Sequence, residues 1–265
     1  MHPSRRSHIA DRAAMAALVR AEGFGTLIAG TAAGLRAVHV PMVLDDDRLR
    51  FHVSRSNLLF DALHAGAEAL FVVNGPHAYV SPDWYGVPDR VPTWSYLAVE
   101  LNGPVRPLSC EALVRLLDDM SAEREEKLAP KAPWVRTMMD PARFAGLVKA
   151  IAGFEMEIAE WRGTAKVDQD KPEEVRNRIA AALRARGEEA MASLYERPFR
   201  GSEELPPLPP SAGEGGPRPK GGRVRVCTED SARPSPMSRL AASPGSSLSG
   251  GSSSPAKSGR GGSSP

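Results

Sequence analysis

The chain has little of what several function classes require. Only two of its 265 residues are cysteine, Cys110 and Cys227, too few for a disulfide framework or a thiolate metal site. HExxH, CxxC and GxSxG are all missing, and no paired carboxylates stand at a spacing suited to acid–base work. Metal hydrolysis and acyl transfer therefore have no support. A Gly-rich phosphate fingerprint is missing too, which argues against a Rossmann site or a P-loop. No apolar run approaches the length of a membrane span, and the N-terminus has no apolar segment of the kind a signal peptide carries. The expectation is a cytoplasmic protein with no membrane partner.

Net charge is also in short supply. The net charge is +2, but the residues after Pro198 carry 9 Lys/Arg against 5 Asp/Glu, a local +4 that leaves the rest of the chain near −2. A slightly acidic body gives no support for DNA as a partner, because phosphate binding needs a basic face. The composition changes abruptly at the same place. From Gly201 to Pro265 there are 12 Gly, 11 Pro and 15 Ser, and no Ile, Phe, Trp or Tyr. Such a segment cannot bury enough apolar surface to offset its ordering entropy. The reading is one domain over residues 1–197, with a helical insertion around 109–150, and a disordered Gly/Pro/Ser-rich tail over 198–265.

Within the domain, Asp11 is placed to cap a helix that runs to about Glu22 and stops at Gly23. Short strands are expected at Phe24–Gly30, Leu35–Met42, Arg48–Ser54, Glu68–Asn74, Tyr96–Val105 and Gly153–Trp161, from their apolar or alternating character. Helices are expected at Asn57–His64 behind a Ser56 cap, at Ser109 to about Leu128, in pieces over 133–139 and 141–151, and at Pro172–Gly187. Short strands interrupted by helices argue for a mainly β chain with helical insertions (α+β), closed as a small antiparallel barrel and not as a doubly wound sheet.

What the chain does have is one dense aromatic block. Between Gly75 and Tyr96 lie two of the four tryptophans, Trp84 and Trp94, and three of the four tyrosines. A core segment would use Leu, Ile and Val, which have no polar atoms to satisfy. Aromatics with polar tips on proline-stiffened backbone suit the wall of a pocket for a flat ligand, although an aromatic loop packed beneath a small domain explains the same composition. Two histidines, His39 and His52, fall on neighbouring strands with matching alternation, which would put both on one face. Ser54, Arg55, Ser56 and Asn57 stand at a strand-to-helix junction, where free backbone N–H groups and a guanidinium suit a phosphate. A structural histidine and a solvated arginine are the plainer readings of the same residues.

Taken in order, these segments resemble the PaiB family, FMN-binding negative transcriptional regulators related to split-barrel flavoproteins such as pyridoxamine-phosphate oxidases. The family's A-T-H-x-P appears as Ala37-Val38-His39-Val40-Pro41, and its G-H-x-A-R-x-N as Phe51-His52-Val53-Ser54-Arg55-Ser56-Asn57. G-P-x-A-Y-x-S-P-x-W-Y is met at every fixed position from Gly75 to Tyr85, and V-P-T-W-N-Y at Val91–Tyr96 with Ser95 for Asn. I-x-G-F-E-I appears at Ile151–Met156, and G-K-x-K-x-S-Q-N in weakened form at Gly163–Asp170. The departures cluster in Phe51 for Gly, Asp168 for Ser and Asp170 for Asn, two of them carboxylates that would repel a phosphate or an electron-rich flavin edge.

The resemblance implies a homodimeric FMN-binding split β-barrel, with the flavin at the subunit interface. It implies cofactor contacts from His39, His52, Ser54, Arg55, Asn57, Trp84, Thr93, Trp94, Lys166 and Gln169, with Tyr85 as a further aromatic wall. No catalytic residue and no metal follow from it. Its functional implication is a flavin-dependent sensor or negative transcriptional regulator; the alternative is an FMN-dependent oxidoreductase acting on a small molecule. A haem-binding relative with His39 or His52 as axial ligand is a third reading.

Overall fold

Strand pairing closes this chain on itself. The computed structural model describes residues 2–197, and the expected disordered tail at 198–265 lies outside them. The strands are β1 His8–Ile9, β2 Phe24–Thr31, β3 Gly34–Asp45, β4 Arg48–Ser54, β5 Glu68–Val80, β6 Thr93–Pro107, β7 Ile151–Glu157 and β8 Glu160–Lys166. They form one antiparallel sheet in the order β1-β8-β6-β5-β2-β3-β4-β7, and β7 also pairs with β6. That last pairing joins β6, β5, β2, β3, β4 and β7 into a closed six-stranded barrel, with β8 and β1 flanking β6. A closed barrel has no edge to protect.

β6 does two jobs along its length. Tyr96–Asn102 pair with β8, whereas Val105–Pro107 pair with β7. Gly103 stands at the changeover, where a Cβ would overlap the carbonyl oxygen of Glu157, so the close approach needs glycine. The barrel interior is filled by alternate strand residues, among them Leu27, Leu49, Phe51, Phe71, Val99, Leu101, Phe154 and Met156, all fully buried. Phe51 lies at the centre, its ring centroid 6.0 Å from both Phe71 and Phe154. The bulk that departs from the family's glycine here is therefore core filling.

The helices are α1 Arg12–Glu22, α2 Phe60–His64, α3 Cys110–Glu126, α4 Pro141–Lys149, α5 Glu173–Arg184 and α6 Glu189–Glu196. α1 matches its expected bounds: the Asp11 carboxylate accepts from Ala13 N, and Gly23 closes the helix in the left-handed region at φ 57°. The insertion formed by α3 and α4 covers the outside of β3, β4 and β7. Its own cluster comprises Val43, Leu113, Leu116, Phe144 and Val148, and Arg50 donates to Asp119 at 2.9 Å to pin α3 to β4.

The structure corrects four expectations. The helix expected over Asn57–His64 is confined to Phe60–His64, because Asn57 turns the chain: its side chain accepts from Leu59 N and its carbonyl from Phe60 N. β5 runs to Val80 through the first half of the aromatic block, with a register shift between Asn74 and His77 at the Gly75-Pro76 pair. The single strand expected at Gly153–Trp161 is two strands, β7 and β8, parted at Ile158–Ala159. α6 was not expected at all.

Candidate functional site

The residues singled out from the sequence fall into two groups, one on β3 and β4 and one where β6 meets β8. The first is built on β3 and β4. His39 is exposed on the outer face of β3; its Nδ1 and Thr26 Oγ1 are 2.9 Å apart, and its ring stacks on Phe24 with centroids 6.5 Å apart. β3 leaves β4 after the Met42–Phe51 pair, and continuing that register would set His39 opposite Ser54. Ser54 pairs with Ile151 at the start of β7, and β7 reaches β6 only at its C-terminal end.

Arg55 is anchored there. Its backbone N–H donates to Ala150 O at 2.9 Å, its Nε donates to Ile151 O at 3.1 Å, and its guanidinium carbon lies 5.6 Å from the Phe60 ring centre. Its terminal nitrogens have no hydrogen-bond partner among the described residues. The hydroxyls of Ser54 and Ser56 are 2.8 Å apart on an exposed turn. The free helix N-terminus expected here is not present. Ser56 N is satisfied by Ser54 Oγ, Asn57 N by Ser54 O, and Leu59 N by the Asn57 side chain, so Asn57 serves the turn.

His52 shares the outer face with His39 but not its surroundings. It pairs with Gly153, and the space a Cβ would occupy there is filled by Leu108 and Leu113. Directly paired residues of an antiparallel ladder share a face, so His52 lies beneath the helical insertion. Its Nδ1 is buried without a partner among the described residues, and burial holds its pKa below the usual histidine value.

The second group sits where the N-terminal end of β6 meets the C-terminal end of β8. Lys166 donates to Thr93 Oγ1 and, at 2.8 Å, to Trp94 O. Two of its three N–H donors are therefore committed, and one is free. Trp94 is 57% exposed, with Tyr79 edge-to-face and His77 tilted against it, both at 6.2 Å between centroids. Gln169 is a tie: it donates to Arg6 O and Ala165 O and accepts from Val167 N. Trp84 is half-buried against the core in a 3-10 turn at Pro82–Tyr85, so it offers less open ring than Trp94.

Tyr85 is no wall either. It is buried, and its hydroxyl donates to Asp168 Oδ2 at 2.7 Å; burial first, then this carboxylate, raises its pKa. Tyr195 of α6 donates to the same oxygen at 2.8 Å and lies 2.6 Å from Ser95 Oγ. Asp168 thus turns inward at φ 51°, and its Oδ2 is shared by two phenols. Arg178 completes the join by donating to Tyr85 O at 2.6 Å. Tyr195 and Arg178 escaped the sequence reading. The apolar spacing of Met191, Leu194 and Tyr195 was the signal for α6, but nothing local marked the tyrosine's partner.

Between the aromatic end of β5 and the turn joining α5 to α6 lies a groove of about 700 Å³, bordered by His77, Tyr79, Trp94, Glu22, Arg186 and Glu188 among others. Among the described residues no group of His, Cys, Asp and Glu is placed to hold a metal ion. No described helix is long and apolar enough to cross a membrane.

Comparison with known proteins adds the family context. A family model described as "Putative FMN-binding domain" matches residues 1–160. "Protease synthase and sporulation protein PAI 2" of Bacillus subtilis is 27% identical over 159 residues, 58% of this chain and 75% of that protein. The uncharacterized protein YKL070W of Saccharomyces cerevisiae is 27% identical over 118 residues, 40% of this chain and 69% of that protein. Among solved structures, the FAD and heme binding protein from Mycobacterium smegmatis is 16% identical with a TM-score of 0.46, covering 60% of this chain and 73% of that one.

Proposed function

The chain belongs to the family described as "Putative FMN-binding domain", with FMN as its cofactor, and from that premise we propose that it works as a homodimeric flavoprotein, a flavin-dependent sensor or negative regulator with its site shared between two barrels. The observation that carries this reading is the Trp94–Lys166 corner. An open indole and an ammonium with one uncommitted proton stand side by side, held by Thr93 and the Trp94 carbonyl.

The residues fit the cofactor by their chemistry. Arg55, with Ser54 and Ser56 beside it, would hold the phosphate, because a guanidinium offers paired donors to phosphate oxygens. Trp94 would cover the ring system, and stacking of that kind contributes roughly 0.5–1.5 kcal/mol beyond burial. Lys166 would present its third N–H to an electron-rich edge. His39, fixed through Nδ1 by Thr26, keeps Nε2 available for a proton. Bound FMN supplies the electron or hydride transfer that none of these side chains can perform.

The separation of the two groups supports the dimer. Thr93 and Pro107 bound β6, a contour of about 45 Å at roughly 3.3 Å per residue. Arg55 follows the end of β4, and Trp94 stands near the N-terminal end of β6, so two copies arranged head to tail would bring one group of each to a common flavin. The outer barrel face supplies apolar surface for such a contact, with Leu35 73% and Phe24 54% exposed. Purified chain should be yellow and release FMN on denaturation. Colourless protein that ignores added FMN would remove the reading.

The regulatory part draws support from the name of the Bacillus subtilis relative, which refers to protease synthesis and sporulation. A second reading, an FMN-dependent oxidoreductase acting on a small molecule, is favoured by the groove beside Trp94. Turnover of a bound small molecule by FMN-loaded protein would favour the second. Salt-dependent retention of a promoter fragment by the full chain, with none by the isolated 198–265 segment, would favour the first.

A further inference from the structure

We propose that the groove between Trp94 and the α5–α6 turn binds a flat aromatic zwitterion, a small molecule carrying one ammonium and one carboxylate on an aromatic body. The aromatic part follows from the floor. Trp94 and Tyr79 are 57% and 44% exposed and meet edge-to-face at 75°, an arrangement that leaves ring surface uncovered for a third aromatic partner.

The charges follow from the rim. Arg186 and Glu188 flank Gly187, which turns the chain at φ 79° between α5 and α6, and both line the groove. Neither side chain has a hydrogen-bond or ion-pair partner among the described residues, nor do they pair with each other. Of the groove's other carboxylates, Glu189 accepts from Arg184 at 2.9 and 3.1 Å, and Glu22, on the far side from the turn, has its pKa raised by burial against the opposing field of Lys127 and Arg124. At the α5–α6 turn the groove therefore presents a cation, Arg186, and an anion, Glu188, that have no partner among the described residues, beside an aromatic floor. A molecule with both charges satisfies each; a molecule with one leaves the other facing a like charge or water.

This wall lies past residue 160, where the match to the family model ends. The inference rests on the flavin reading only in that the ligand would occupy the substrate side of the same site. Binding itself does not require the flavin.

Calorimetric titration of the full chain, with and without FMN, tests it using three probes: L-tryptophan, tryptamine and indole-3-acetate. L-Tryptophan should bind about tenfold or more tighter than either singly charged probe. Arg186→Gln should erase its advantage over tryptamine, and Glu188→Gln its advantage over indole-3-acetate, with FMN affinity unchanged in both. Equal affinity for the three probes, or no binding of any, overturns the proposal. If FMN does not bind while the probe ranking appears, the flavin reading fails and this inference stands; the opposite pattern removes this inference alone.

Discussion

Tyr85 and Tyr195, distant in the chain, donate hydrogen bonds to a single oxygen, Oδ2 of Asp168, at 2.7 and 2.8 Å. One carboxylate thereby fastens the aromatic turn and the last helix to the end of β8. Asp168→Ala would leave two buried hydroxyls without that acceptor. Each unsatisfied group costs about 1–3 kcal/mol, and Ser95 can still serve Tyr195, so the expected loss is about 2–4 kcal/mol. Urea unfolding should show it as a lower midpoint at unchanged slope. A loss below about 0.5 kcal/mol would mean the join carries no weight.

The same phenols predict an alkaline limit. Burial raises the pKa of both above 10.0, so the folded state keeps protons that the unfolded state releases. Their contribution is complete below pH 10 and is lost as the pH climbs past it. Unfolding midpoints should fall steeply above about pH 10, and Tyr195→Phe should flatten the fall. A variant with the same alkaline slope would contradict the assignment.

His52 predicts the opposite limb. Its pKa is lowered by burial beneath the insertion, so its neutral form stabilises the fold above the unfolded value of 6.5, and that contribution is lost as the pH drops through the folded value. His52→Leu should make stability less sensitive to acid below about pH 6.5. FMN affinity in this variant should stay within about threefold of the parent, since the ring faces the insertion. A large loss of FMN binding without loss of stability would return His52 to the site.

Much of this was legible beforehand because local chemistry decided it. Asp11 and Gly23 bracket α1, alternation fixed β4 residue for residue, and the aromatic motif located the Trp94 corner. Other features depended on partners far along the chain. Asn57 looks like the first turn of a helix until its side chain is seen closing a turn on Leu59. His52 and His39 share a strand alternation, yet only the insertion's packing separates them. Asp168 carries a charge that repels an anion in sequence terms, but its Oδ2 is committed to residues on a turn and a helix that no local pattern links to it.

The apolar outer face yields a further expectation. Leu35→Asp should reduce dimerisation, read by sedimentation equilibrium as a shift toward monomer, and lower FMN affinity about tenfold or more in parallel. Monomer that binds FMN with parental affinity would separate the cofactor site from any interface.

The most direct test mixes two defective chains. Differently tagged Arg55→Ala and Trp94→Ala chains are co-expressed, the mixed dimer is isolated through both tags, and FMN binding is measured by titration. Each variant alone should bind FMN poorly, and the mixed dimer should recover it, because Arg55 of one chain and Trp94 of the other complete an intact site. A mixed dimer as defective as its parents, or a parental chain that binds FMN as a monomer, would contradict the shared site.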